Sequence, residues 1–197
     1  MSCNLKRLEF LTSNLVNIKT QISHPEPQLS HSKTLQPKKT QNMELKTKIQ
    51  AEDGKQEIFI IREFDIPVEL LFKAYTEAEL FEQWMGTKVT KFENKQHGSY
   101  RFETSNPHGE VVFSANGTIH DIVQNEKIIR TFQMENTPFP AQIEFLEFEK
   151  LTNTTSKITI QTIYKSTDFR DQHLKMPFAQ GINMAHNRLQ ELLSKMR

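Results

Sequence analysis

Acid–base or metal chemistry in this 197-residue chain would first be sought in its seven histidines, His24, His31, His97, His108, His120, His173 and His186, and in its single cysteine, Cys3. No two of these histidines stand at metal-ligand spacing and none has a cysteine nearby, so no metal centre is expected. A general acid–base device also needs a carboxylate to orient the imidazole, and the sequence assigns none. His97 and His108 fall in turn-rich stretches and are expected in water, whereas His186 lies one position off the stripe of a terminal helix and borders the interior. There is no glycine-rich phosphate loop and no serine nucleophile elbow. Glu144, Glu147 and Glu149 could be taken as hydrolytic carboxylates, but a solvated strand face explains them, and the change of phase between Phe145 and Leu146 is expected to mark a bulge. No catalytic constellation emerges, and no cofactor is expected.

What remains is aromatic. Trp84, Tyr100, Phe102, Phe113, Phe132, Phe145 and Tyr164 are candidates for one concave surface if the strand alternation is read with Tyr100 and Phe102 inward. The plain alternative is a core, for which fourteen phenylalanines already suffice.

The elements that would carry these residues are legible in the periodicity. After Met43, Leu45, Thr47, Ile49 and Ala51 alternate with Lys46, Lys48 and Gln50, and Asp53-Gly54 offers a turn before the strand signal at Ile58 to Ile61. Asp65 and Pro67 start a helix carrying Val68, Leu71, Phe72 and Tyr75. A second helix is predicted behind a capping box at Thr76 and Glu79, with Leu80, Phe81, Trp84 and Met85 on it and Gly86 at its end. From Thr87 to Tyr164 the period is mostly two, in six stretches separated by turn sequences, which implies an antiparallel meander. Phe178, Ile182, Ala185, Leu189, Leu192 and Met196 then recur at steps of three and four and predict a long terminal helix. The order is that of an α+β fold, with a curved antiparallel sheet wrapped around the last helix.

Only 36% of residues are hydrophobic, low enough that some segment contributes nothing to a core. Residues 1–42 hold six Lys/Arg against two acids, with Pro25, Pro27 and Pro37 and no glycine, and are read as a disordered basic extension. Met43 stands where the composition changes, so two origins are open: an upstream artefact of translation starting naturally at Met43, or a regulatory or targeting tail. Residues 43–197 form the domain, with 19 Lys/Arg against 22 Asp/Glu, which argues against a nucleic-acid partner. No stretch reaches the roughly 20 apolar residues of a membrane span, the N-terminus lacks a clean secretory core, and the lone cysteine suits the cytoplasm.

The stretch Arg62-Glu63-Phe64-Asp65-Ile66-Pro67, with Val68, Leu71, Phe72, Tyr75 and Thr76, followed by Glu82-Gln83-Trp84-Met85-Gly86, resembles the bacterial proteins named after the activator of the heat shock protein 90 ATPase. The similarity continues through Gly98 to Phe102, Phe113 to Val123 and Glu126 to Ile129, in a family of the START-like (SRPBCC, helix-grip) superfamily. It implies a cavity between sheet and terminal helix that holds a hydrophobic or amphipathic small molecule. It implies as an alternative a protein-interaction module acting on a chaperone through the outer sheet face, and, third, a cyclase- or hydrolase-type enzyme. Two positions depart from the family pattern: Met85 replaces an aromatic, and Gly181-Ile182-Asn183-Met184 replaces a Gly-Trp pair, so the cavity mouth differs and Met184 joins the candidate ligand contacts.

Arg130 is the most informative residue, because the resemblance implies an apolar or aromatic side chain facing the cavity at its position. Three arrangements are open: an anchor for an anionic ligand, an internal pair with an acid such as Glu144, or a register that turns Ile129 and Thr131 inward and leaves Arg130 in water.

Overall fold

The period-two stretches after Thr87 become six consecutive antiparallel strands in a computed structural model of the chain, which describes residues 46–196. They are β3 (Lys88–Phe92), β4 (Ser99–Ser105), β5 (Val111–Val123), β6 (Lys127–Met134), β7 (Gln142–Lys150) and β8 (Ser156–Ile163). Ahead of them lie β1 (Lys48–Gln50), β2 (Glu57–Phe64), α1 (Val68–Thr76) and α2 (Ala78–Met85), and behind them α3 (Thr167–Leu174) and α4 (Phe178–Ser194). Because β2 pairs with β8, the eight strands form a single sheet in the order β1-β2-β8-β7-β6-β5-β4-β3, an α+β architecture of the helix-grip kind. The expectation for residues 1–42 lies outside the described residues.

Alternation decides which residues meet the helices. In β2, Ile58, Ile60, Arg62 and Phe64 point inward, and in β8 Ser156, Ile158, Ile160 and Thr162 do. This face packs with Leu71 and Tyr75 of α1, Phe81 and Trp84 of α2, and Ala185, Leu189 and Leu193 of α4 in one hydrophobic core. The outer face of the same strands is far more polar, as expected for an antiparallel sheet wet on one side.

Several local expectations are corrected. Helix α2 has Glu77, not Thr76, at its N-cap and no side-chain cap, since the Thr76 hydroxyl donates back to the Phe72 carbonyl at 2.9 Å. Gly86 does close α2 in the left-handed region, at φ 68°. Helix α3 was not foreseen, because its sequence has few apolar residues; its start is set by Ser166, whose hydroxyl accepts from the Phe169 amide. The buried stripe of α4 runs through Ala185, Leu189 and Leu193, leaving Leu192 half-buried and Met196 exposed. Strand β7 has no bulge: its pairing with β6 and β8 is unbroken, so Gln142, Glu144, Leu146 and Phe148 face inward while Ile143, Phe145 and Glu147 face out. Apolar residues on both faces produced the apparent change of phase. Glu144 is therefore not on the solvated face, and Phe145 belongs to the outer surface.

Candidate functional site: an inward polar row on three strands

The register of β6, β7 and β8 brings Arg130, Glu144 and Thr162 directly opposite one another, with Ile58 of β2 next in line. Gln142, two residues before Glu144 on the same face, stands opposite Phe132. A short polar row thus stands beside the apolar Leu146, Ile158 and Ile160 of the same inner face.

Arg130 faces inward, which excludes the slipped register. Its Nε donates to Glu144 Oε2 at 2.8 Å, and its guanidinium carbon stands 5.2 Å from the centre of the Tyr100 ring. Of the three arrangements open from sequence, the structure holds the internal pair. The pair is single-pronged, however, since no described residue bonds to either terminal nitrogen of Arg130 or to Glu144 Oε1. Tyr100 is itself held in place, because its hydroxyl donates to the Thr131 carbonyl at 2.7 Å across Gly117. A Cβ at Gly117 would come within 1.9 Å of that carbonyl and 2.6 Å of the Tyr100 hydroxyl, so only glycine admits the ring here.

Thr162 and Gln142 are buried, yet among the described residues their side chains have no hydrogen-bond partner. Buried polar groups are nearly always bonded, so each exception requires a reason. The one fully enclosed side-chain polar atom left without a hydrogen bond among the described residues is Arg170 Nε, which lies 2.6 Å from Asp171 in an ion pair. None of the free atoms of Arg130, Glu144, Gln142 and Thr162 is fully enclosed, so each keeps some accessible surface.

A second interior polar cluster behaves differently. Arg62 donates to Thr47 Oγ1, Asn183 Oδ1 and Asn187 Oδ1, while His186 bonds Thr47 Oγ1 at 3.0 Å and the Tyr75 hydroxyl at 3.1 Å. Those contacts stitch β2 and Thr47, just ahead of β1, to α1 and α4, and nearly every donor is used. The cluster is structural, and His186 is enclosed rather than at a mouth. On α3, His173 Nδ1 is bonded to the Tyr164 hydroxyl. Burial pushes the phenols of Tyr75, Tyr100 and Tyr164 up, keeping them neutral donors.

Burial also pulls His173 down to about 4, and burial followed by the Arg62 charge pulls His186 to about 3. An unfolded histidine titrates near 6.5, so below that pH the unfolded chain takes up protons that the folded chain refuses. Stability contributed by the two neutral imidazoles is complete above pH 6.5 and falls as the pH drops toward 4 and 3. At pH 5 the expected loss is roughly 1–2 kcal/mol per histidine. Urea unfolding at pH 7.5, 6 and 5 should reveal the slope, and His173→Gln should reduce it by about half; a flat profile contradicts the burial of both rings.

The candidate residues divide sharply. Trp84, Tyr100, Phe102 and Tyr164 are buried on the inner side. Phe113 and Phe132 are half-buried and each approaches the Phe102 ring, at 6.2 and 6.3 Å between centroids. Trp84 belongs with Tyr75 and Phe81 at the α1–α2 junction. Phe145 faces out, and Met184 is 38% exposed on α4. Gln142 and Thr162 were missed as site residues. Their signal was a polar residue on the buried phase of an apolar alternation, as in Ile158, Ile160, Thr162, Tyr164. A shallow depression of about 540 Å³ lined by Lys127, Glu147, Glu149 and Thr159 shares none of the four side chains of this row.

Residues 65–194 match the family described as Activator of Hsp90 ATPase homolog 1-like protein. No curated protein matches the chain. Among solved structures, a protein from Arthrobacter aurescens is similar with a TM-score of 0.67 at 15% identity, covering 75% of this chain and 91% of that one. Protein Ms6760 from Mycobacterium smegmatis gives 0.64 at 20% identity, with 75% and 96% covered, and a Staphylococcus epidermidis protein 0.62 at 23%, with 74% and 94% covered. These likenesses concern the fold. No helix among the described residues is long and apolar enough to cross a membrane.

Proposed function

The chain belongs to the family of Activator of Hsp90 ATPase homolog 1-like proteins, and we propose that it is a cytoplasmic carrier that holds an amphipathic small molecule between the sheet and the helical layer. The observation that carries this reading is the unsatisfied polar row. Four inward side chains, Arg130, Gln142, Glu144 and Thr162, present free donors and acceptors inside an apolar shell. These free atoms are not fully enclosed, and a row of free donors and acceptors on an inner face gives the fold no structural return, unlike the saturated cluster at Arg62. A ligand head would satisfy them, and half-buried Phe113, Phe132, Phe178 and Ile182 supply apolar surface suited to its body.

Native mass spectrometry of the protein purified from its own host tests this, with the Gln142→Leu/Thr162→Val double variant beside it. The wild-type protein should retain a small molecule that the variant loses, while the variant keeps or gains thermal stability, because the replaced groups bond to nothing in the protein. A wild-type protein with no adduct, together with a destabilised variant, would overturn the reading.

A second reading is a protein contact through the outer sheet face, favoured by the apolar residues Phe59, Ile143, Phe145 and Ile163 on adjacent strands, Ile143 being 43% exposed. It would be preferred if no small molecule is retained and the chain stimulates a chaperone ATPase in a manner lost on Ile143→Glu.

A further inference from the structure

Taking the carrier reading as its basis, we infer that the polar row selects an uncharged head group presenting a carbonyl-type acceptor beside an N–H or O–H donor, the primary amide and hydroxy-carbonyl class, and discriminates against both carboxylates and amines. The ion pair is the reason. Arg130 Nε and Glu144 Oε2 meet at 2.8 Å and bring a full positive and a full negative charge together at one place, with side-chain exposures of 12% and 11%. A carboxylate approaching the free terminal nitrogens of Arg130 also approaches the free Oε1 of Glu144; attraction and repulsion largely cancel, while the desolvation cost of the incoming charge is paid in full. An ammonium group meets the same cancellation with the signs reversed.

An uncharged donor–acceptor pair is not subject to it. Its acceptor can take N–H bonds from Arg130 while its donor reaches Glu144 Oε1, and both bonds are charge-assisted on the protein side. Thr162, which can donate or accept, stands opposite Glu144 on β8, and Gln142, whose amide does both, stands two residues before it on the same face; neither adds net charge. The phenols nearest the row are already committed: Tyr100 to the Thr131 carbonyl, Tyr164 to His173 and Tyr75 to His186. No second anion or cation from the opposing helices is bonded to Arg130 or Glu144 to tip the balance.

The test uses three probes with one tail, decanamide, decanoate and decylammonium, at pH 7, in competition against Nile red, a neutral dye that reports occupancy of the apolar interior. Decanamide should displace the dye at a concentration at least tenfold lower than either charged probe. Glu144→Gln removes the negative charge, keeps an acceptor for Arg130 and should tighten decanoate at least tenfold relative to decanamide. Decanoate or decylammonium competing best with the wild-type protein would overturn the head-group assignment while leaving the carrier reading intact. Failure of Nile red and of all three probes to bind would instead remove the carrier reading and this inference with it. The wild-type ranking decides by itself should Glu144→Gln fold poorly.

Discussion

Replacing Glu144 by leucine is expected to lower the unfolding free energy by about 3 kcal/mol or more, and replacing Arg130 and Glu144 together by leucine is expected to restore most of that loss. The single change leaves the Arg130 guanidinium, 12% exposed and stacked near Tyr100, without its carboxylate. Arginine cannot shed its proton to escape, so the charge stays and its desolvation is uncompensated. Breaking a buried pair from one side typically costs about 3–5 kcal/mol, whereas apolar replacement of both partners is often neutral or stabilising. The small residual exposure on both sides places the expected value at the lower end. Urea unfolding of the wild-type protein, both single variants and the double variant closes a thermodynamic cycle. If the two single costs simply add in the double variant, the pair is not coupled and water, not Glu144, neutralises Arg130.

Trp84→Ala should cost about 3–5 kcal/mol, the usual range for emptying a buried aromatic site. Trp84 is 2% exposed and touches Tyr75 and Phe81 at ring-centroid distances of 4.9 and 5.3 Å. Its indole N–H donates to the Ala74 carbonyl at 2.8 Å, in the last turn of α1, where helix carbonyls lack partners of their own. One side chain thus fills the α1–α2 junction and caps α1. Trp84→Phe separates the two roles: it keeps a ring in place and strands the carbonyl, for an expected loss of roughly 1–2 kcal/mol. Thermal and urea unfolding give both values, and a Trp84→Ala loss below about 1 kcal/mol would show that the junction collapses around the gap.

The sheet, both early helices and the terminal helix were legible because each is written in a local period. Ile158, Ile160 and Tyr164 on one phase, or Phe178, Ala185 and Leu189 at helical steps, report an element without knowledge of its neighbours. Helix α3 was hidden because only Phe169 and Leu174 of its eight residues are apolar, too few for a stripe; the element is stabilised by Ser166 at its start and by Phe169 and His173 meeting Phe139. Strand β7 misled for the opposite reason. Ile143 and Phe145 are apolar on the outside, so composition could not choose the face, and a one-residue error exchanges every side chain between faces.

Local periods and short motifs carry the α+β order, the cationic residue on an apolar strand and the family to which residues 65–194 belong. That Arg130, Glu144 and Thr162 stand side by side follows from cross-strand register, a relation between segments up to 32 residues apart that no local period encodes. Packing in three dimensions also sets which interior polar groups are saturated. Arg62 and His186 find partners at Thr47, on α1 and on α4, whereas the row on β6 to β8 has only the Arg130–Glu144 bond, because bonding of that kind depends on where distant side chains end in space.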